Sequence, residues 1–253
     1  MSVDFNNVGA VILAAGLGKR MKSAKLKVMH ELDSRPLVDY VVGAIEASAV
    51  GRKPIVVVCD NDPSVQNFLN GRAEYVVQAE RLGTGHAVRQ AELILKDKIA
   101  QVVVLYGDMP FVRPESINSL IKKHREKDNK VTLMTVVAPD FNDWRESLSG
   151  YGRIIRAGVE NHVVGIVEKK DATATQLEIK EVNPGFYCFD SVWLWPHLRA
   201  LQNNNVQGEY YLTDLIAKAV AEGVAISSIV IDPSEAVGIN TADQLVLAGS
   251  LIK

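Results

Sequence analysis

The chain has 253 residues, 47% hydrophobic and 23% charged, which excludes a disordered or fibrous chain and leaves ample length for a core. Its net charge of −2 excludes a broad nucleic-acid surface, so any anion site is local. No apolar run is long enough to span a bilayer, and Asp4, with no Lys or Arg before the first apolar run, makes a poor secretory signal; we expect a cytoplasmic protein with Cys59 and Cys188 as reduced core thiols.

In chain order, the first strand is expected over 11–14, inside a buried run from Ala10 to Ala15. It breaks into a loop with Gly16 and Gly18, followed by five cations, Lys19, Arg20, Lys22, Lys25 and Lys27. Glycines let backbone N–H groups approach an anion closely and the cations neutralise it, so this is a phosphate site at the mouth of a sheet. The alternative is an ordinary turn beside a solvated basic patch. A Walker A loop is excluded because Arg20 follows Lys19, and a dinucleotide fingerprint because Met21 replaces its third glycine. Leu37, Val38, Val41, Val42 and Ile45 share one helical face, with Pro36 in the first turn. Strands follow over 55–59, 75–78 and 102–106, and helices over 84–95 and 114–126. Such alternation predicts a parallel sheet covered on both faces, which binds ligands beyond the C-terminal ends of its strands. Gly16, Gln78 and Asp108 occupy those ends.

The second half reads as strands over 132–137, 153–156, 163–168 and 185–189 with little helix between them. Helices over 192–201 and 210–222, a strand over 226–231 and a final helix from Thr241 complete the chain. This is a mixed extension of the same sheet, with some antiparallel pairing, in one domain of two lobes.

Several short segments carry chemistry. Tyr106-Gly107-Asp108 ends a strand with a lone carboxylate. Beside a phosphate site it suits a bound Mg²⁺, which takes one or two carboxylates with phosphate oxygens and waters; alone, Asp108 reads as a turn cap. Gln78 has the paired amide donor and acceptor that read a base edge. Gly83-Thr84-Gly85 offers N–H groups at a helix start, with Thr84 as the N-cap in the plainer reading. Gly152, Glu168 and Asn183 form a glycine, carboxylate and amide set suited to sugar hydroxyls, though each is also a common turn residue. Asn240 on its own is a cap.

Leu13-Ala-Ala-Gly-Leu-Gly-Lys-Arg-Met21 with Lys27-Val-Met-His30 resembles the signature of the sugar-1-phosphate nucleotidyltransferases. The runs 78–87, 106–108, 151–153, 168–172 and 203–214 narrow the resemblance to the uridylyltransferase domains of the bacterial bifunctional enzymes that make UDP-N-acetylglucosamine, a cell-wall precursor. The resemblance implies a Rossmann-like α/β nucleotidyltransferase fold, with a nucleotide-binding lobe over about 1–130, a β-rich sugar-binding lobe over about 131–240 and a C-terminal helix over 241–253. It implies that Leu13, Ala14, Ala15, Gly16 and Gly18 hold the nucleotide and that Gln78, Gly83 and Thr84 read the uracil. Arg20 and Lys27 would contact phosphates, with Asp108, as catalytic residues. Asp108 and Asn240 would hold Mg²⁺, and Tyr106, Gly107, Gly152, Glu168 and Asn183 the amino sugar. The implied reaction is Mg²⁺-dependent and converts UTP and N-acetylglucosamine 1-phosphate to UDP-N-acetylglucosamine and pyrophosphate. The alternatives are another sugar 1-phosphate such as glucose 1-phosphate, or a non-catalytic nucleotide-sugar-binding protein.

Three positions depart from the family pattern. Leu26 stands where a proline is usual, which lets Lys25 compete with Lys27 for the phosphate. Pro184 follows Asn183 where a threonine is usual. The segment 138–149, with Trp144 and Arg145, is longer and is expected to form a lid over the sugar. No hexapeptide repeats follow Asn240, so neither the β-helix acetyltransferase nor its trimer is expected. We expect a monomer, with Leu245, Val246 and Leu247 available to pack the last helix on its own domain, and no nucleic-acid or membrane partner.

Overall fold

The computed structural model describes residues 7–16, 18–126, 129–159 and 161–252. Residues 1–6 and Lys253, included in the single-domain reading, lie outside the described residues, as does the side chain of Lys19. Strand β1 (Val8–Leu13) runs into the glycine loop. Two short 3-10 turns (Lys19–Met21 and Lys27–Met29) and a small hairpin, β2 (Glu31–Leu32) with β3 (Arg35–Pro36), lead to α1 (Leu37–Ala47). Then come β4 (Ile55–Val58), α2 (Ser64–Leu69), β5 (Glu74–Val77), α3 (Thr84–Arg89), α4 (Glu92–Leu95), β6 (Gln101–Tyr106) and α5 (Pro114–Glu126). The second half contains β7 (Val131–Val137), a 3-10 segment (Asp143–Gly150), β8 (Gly152–Ala157), β9 (His162–Val167), α6 (Ala174–Leu177) and β10 (Glu181–Asn183). It ends with β11 (Tyr187–Asp190), α7 (Ser191–Arg199), α8 (Asp214–Ala221), β12 (Ile226–Ile231) and α9 (Ala242–Gly249).

Ten strands form one sheet in the order β5-β4-β1-β6-β11-β7-β10-β8-β9, with β12 beside β7. β5, β4, β1 and β6 are parallel. The three inner strands have no polar face: Val8 to Ile12, all of β4 and Val102 to Leu105 are buried, as strands covered on both sides require, whereas the edge strand β5 is half-exposed. The helices α1 and α5 pack together on one face, and α3 and α7 on the other. β7 forks the sheet. Val131 to Leu133 pair with β11, Val136 and Val137 pair with β10, and β12 runs parallel along the strand from 131 to 136. The antiparallel arm β10-β8-β9 leaves from this fork. The architecture is the expected mixed, mostly parallel sheet with helices on both faces and a β-rich arm.

Tertiary hydrogen bonds shift some boundaries. The helix expected over 84–95 breaks at Gln90–Ala91, where the Gln90 side chain donates to its own i−4 carbonyl, His86 O, at 3.0 Å. The helix expected from 210 begins at Asp214. Residues 210–212 are instead bonded to the 82–85 loop: Gly85 N donates to Tyr210 O at 2.8 Å, and Leu212 N to Thr84 Oγ1 at 3.0 Å. Thr84 is the first residue of α3 and not its N-cap, which is Gly83. Cys59 and Cys188 are buried free thiols. Among the described residues, no helix is long and apolar enough to cross a membrane.

Candidate active site

Two clefts meet at the C-terminal ends of β1 and β6. The smaller, about 220 Å³, is lined by Leu13, Ala15, Gly16, Gln78, Gly83 and Thr84 among others. The larger, about 720 Å³, is lined by Arg20, Gly152, Glu168, Asn183 and Asn240 among others. Lys27, Tyr106 and Asp108 line both. Ala14, Gly18 and Gly107 line neither cleft but adjoin residues that do. Ala14 N donates to Val57 O at 2.9 Å, and Gly107 N to Leu13 O at 3.0 Å. Gly18 has φ +62°, and a Cβ there would lie 2.7 Å from Lys27 Cβ. Only glycine lets the loop turn against Lys27 in this way.

At the junction, the Lys27 ammonium donates to Asp108 Oδ2 and, at 3.0 Å, to Asn240 Oδ1. Arg20 Nη2 donates to the same Asn240 oxygen at 3.0 Å. A backbone bond from Ile239 N to Asp108 O, 3.0 Å, holds the two ligand-bearing turns together across 131 residues of sequence. Lys25 instead pairs with Glu31 at 2.8 Å and lines neither cleft, while Leu26 is buried. The structure thus presents Lys27, and not Lys25, to the clefts.

In the smaller cleft, Gln78 is buried. Its Nε2 donates to Gly83 O at 3.1 Å and lies 3.1 Å from His86 Nδ1. Burial and nearby Arg89 hold His86 below the usual imidazole range, which suits a neutral ring accepting at Nδ1. Arg81, which the sequence reading did not single out, donates from Nε to Ala15 O at 2.9 Å and lines this cleft.

In the larger cleft, burial raises the Glu168 carboxyl above its ordinary range, with Lys170 opposing the shift. Gly152 has no room for a side chain: a Cβ would lie 2.7 Å from Ile166 Cγ2 and 3.6 Å from Glu168 Cδ. Asn183 donates to Tyr187 OH at 2.7 Å and accepts from Gly185 N at 3.0 Å, so half its amide capacity already serves the protein. Tyr151, also unassigned from sequence, donates to Ala236 O at 2.9 Å and forms part of the wall. From the 138–149 segment, Asp143, Trp144, Glu146, Ser147 and Ser149 line this cleft, opposite Asp243, Gln244 and Leu247 of α9. The segment is braced by Arg145, which donates to both Asp140 oxygens at 2.9 and 3.0 Å.

The donor set fits Mg²⁺. One cationic group, the Lys27 ammonium, already reaches a carboxylate oxygen of Asp108 and the amide oxygen of Asn240. Two hard oxygens converging on one cation, beside an open cleft, match an ion that keeps most of its shell for water and phosphate. Among the described residues, no group of three or more His, Cys, Asp or Glu makes a closed metal cage.

The family model for the MobA-like NTP transferase domain matches residues 10–219. A protein named "Bifunctional protein GlmU" from Acetivibrio thermocellus is 44% identical over 247 residues, covering 96% of this chain and 51% of its own length. One of the same name from Exiguobacterium sibiricum is 42% identical over 240 residues, covering 94% of this chain and 51% of its own. The chain thus spans about half the length of these curated relatives. A structure described as a putative glucose-1-phosphate thymidylyltransferase from Bacillus anthracis, in complex with a sucrose, superimposes with a TM-score of 0.75. It covers 96% of this chain and 94% of that one at 16% identity, a likeness of fold.

Proposed function

The chain belongs to the MobA-like NTP transferase family, and from that premise we propose that it transfers the uridylyl group of UTP to N-acetylglucosamine 1-phosphate, releasing pyrophosphate. One observation carries the reading: Arg20 and Lys27 meet Asp108 and Asn240 at the junction of two clefts. The smaller cleft takes the nucleoside. There Gln78 turns its amide nitrogen toward Gly83 O and His86, and its amide oxygen accepts the imide N–H of uracil. The larger cleft takes the amino sugar, with Gly152, Glu168 and Asn183 around it.

A phosphate oxygen of the sugar phosphate attacks the α-phosphorus in line, and pyrophosphate leaves. No covalent nucleophile is needed. The obstacle is electrostatic, since each unit-charge pair at 4 Å repels by about 4 kcal/mol at an effective dielectric of 20. Arg20 and Lys27 lie where the two phosphates meet and offset that repulsion. Asp108 and Asn240 would hold Mg²⁺, which when bound neutralises charge on the triphosphate and on the leaving pyrophosphate. The test is pyrophosphate release from a panel of nucleoside triphosphates and sugar 1-phosphates, with and without Mg²⁺. We expect turnover only with the metal, UTP as donor, and a higher kcat/KM for N-acetylglucosamine 1-phosphate than for glucose 1-phosphate. Equal or better use of glucose 1-phosphate overturns the choice of sugar.

A further inference from the structure

Arg153 is only 2% exposed, yet among the described residues no carboxylate pairs with it. Its Nη1 donates to Tyr151 O and, at 3.2 Å, to Ser149 O, which also accepts from Nη2 at 3.2 Å. Its Nε is buried with no partner in the described residues. The guanidinium lies 5.0 Å from the centre of the Phe141 ring, which also carries Lys180 Nζ at 4.4 Å. A buried charge served by carbonyls and no carboxylate carries a desolvation cost that backbone bonds only partly offset.

The carbonyls it holds point to another role. Ser149, Gly150, Tyr151 and Gly152 all line the larger cleft, so holding the Ser149 and Tyr151 carbonyls fixes the stretch of backbone that shapes this wall. Phe141, stacked on the same guanidinium, belongs to the 138–149 segment that forms the facing wall. We propose that Arg153 is a positioning residue for the sugar phosphate: from behind β8 it orients the 149–152 backbone and, through Phe141, pins the wall of the larger cleft. The proposal rests on reading that cleft as the sugar end.

Calorimetric titration with N-acetylglucosamine 1-phosphate and, separately, with UTP and Mg²⁺ tests it, alongside KM values from pyrophosphate release. Arg153→Met keeps the bulk and removes the fork. It is expected to weaken sugar-phosphate binding roughly tenfold or more, leave UTP binding within about twofold and lower Tm, since the Ser149 and Tyr151 carbonyls lose their donor. Arg153→Lys, with charge but no fork, falls between the two. Phe141→Leu shifts sugar-phosphate affinity in the same direction as Arg153→Met. Unchanged sugar-phosphate affinity in Arg153→Met that still binds UTP, or equal loss for both ligands, overturns the proposal. Should Arg153→Met not fold, unchanged affinity in Phe141→Leu does the same. If the wild type takes up UTP but no sugar phosphate, the reading of the cleft falls and the proposal with it. If the wild type binds both and the variants match it, only the proposal falls.

Discussion

Replacing Asp108 by Asn keeps the size of the side chain and removes its charge. The Lys27 ammonium keeps an oxygen partner, so the variant folds, but the anionic ligand offered to a divalent ion is gone. Mg²⁺-dependent pyrophosphate release should fall on the order of 100-fold or more, and near-normal release by folded Asp108→Asn sinks the assignment. Glu168 makes a prediction of a different kind. Burial raises its folded pKa above the ordinary 4.5, so the folded state binds the proton more tightly than the unfolded chain. The penalty is absent at pH values below the unfolded pKa. It grows as pH rises through the folded pKa and persists above it. Glu168→Gln should therefore raise Tm at pH 7–8, with the gain closing as pH falls toward 4, while KM for the sugar phosphate rises. A thermal melt series in pH checks the first half and steady-state kinetics the second; a variant less stable than wild type at pH 8 contradicts it. Gly16 and Asp108 were legible in the sequence because each follows a buried parallel strand, and Gln78 because it follows the parallel edge strand; such ends converge. Arg81 and Tyr151 were not. Their partners, Ala15 O and Ala236 O, lie 66 and 85 residues away, and no local pattern encodes those contacts.

Among the elements, the loop before α3 is the most exacting. Gly83 has φ +102°, and a Cβ would lie 2.6 Å from Tyr210 O and 2.8 Å from Tyr210 N. Gly83→Ala forces the 82–85 loop off the 210–212 strip and should cost roughly 1–3 kcal/mol, with UTP affinity reduced more than sugar-phosphate affinity. Titration of each ligand tests the split, and undiminished UTP binding contradicts it. At the start of α5, the buried Glu235 carboxylate accepts from Arg113 N at 2.9 Å and Ser116 Oγ at 3.0 Å. Glu235→Ala strands both donors and should lower stability by about 2–3 kcal/mol in urea, with kcat unaltered at low temperature; a change under 0.5 kcal/mol refutes this cap. Strands buried on both faces were readable from their unbroken β-branched runs, and α5 from its periodicity. β10 was not, because Glu181-Val182-Asn183 is three residues with one apolar side chain and reads as a turn. It becomes a strand only where β7 and β8 lend it partners on both sides.

For the whole molecule, the sheet fork at β7 matters more than any single strand. It carries the antiparallel arm away from the parallel half and leaves the larger cleft between them. α9 closes the far side: Ala248 lies in an apolar cluster with Leu32, Leu37 and Ile239, and Leu245 packs against it. Leu245 thus packs as expected, whereas Val246 is 80% exposed and Leu247 41%, so the packing face is narrower than its run of apolar residues implied. With the helix folded back on its own domain, we expect light scattering of this chain at micromolar concentration to give a mass near 27.7 kDa. A stable higher mass would place an assembly surface on the described domain. The shared wall of Lys27, Tyr106 and Asp108 has a consequence for ligand design. Because the clefts are contiguous there, a single tethered compound can occupy both. A uracil-like fragment linked to an amino-sugar fragment would meet its second pocket at an effective concentration in the millimolar range, set by the tether. Its avidity should exceed that of either piece by 10² or more, provided the linker crosses the Lys27–Asp108 junction without stranding either charge.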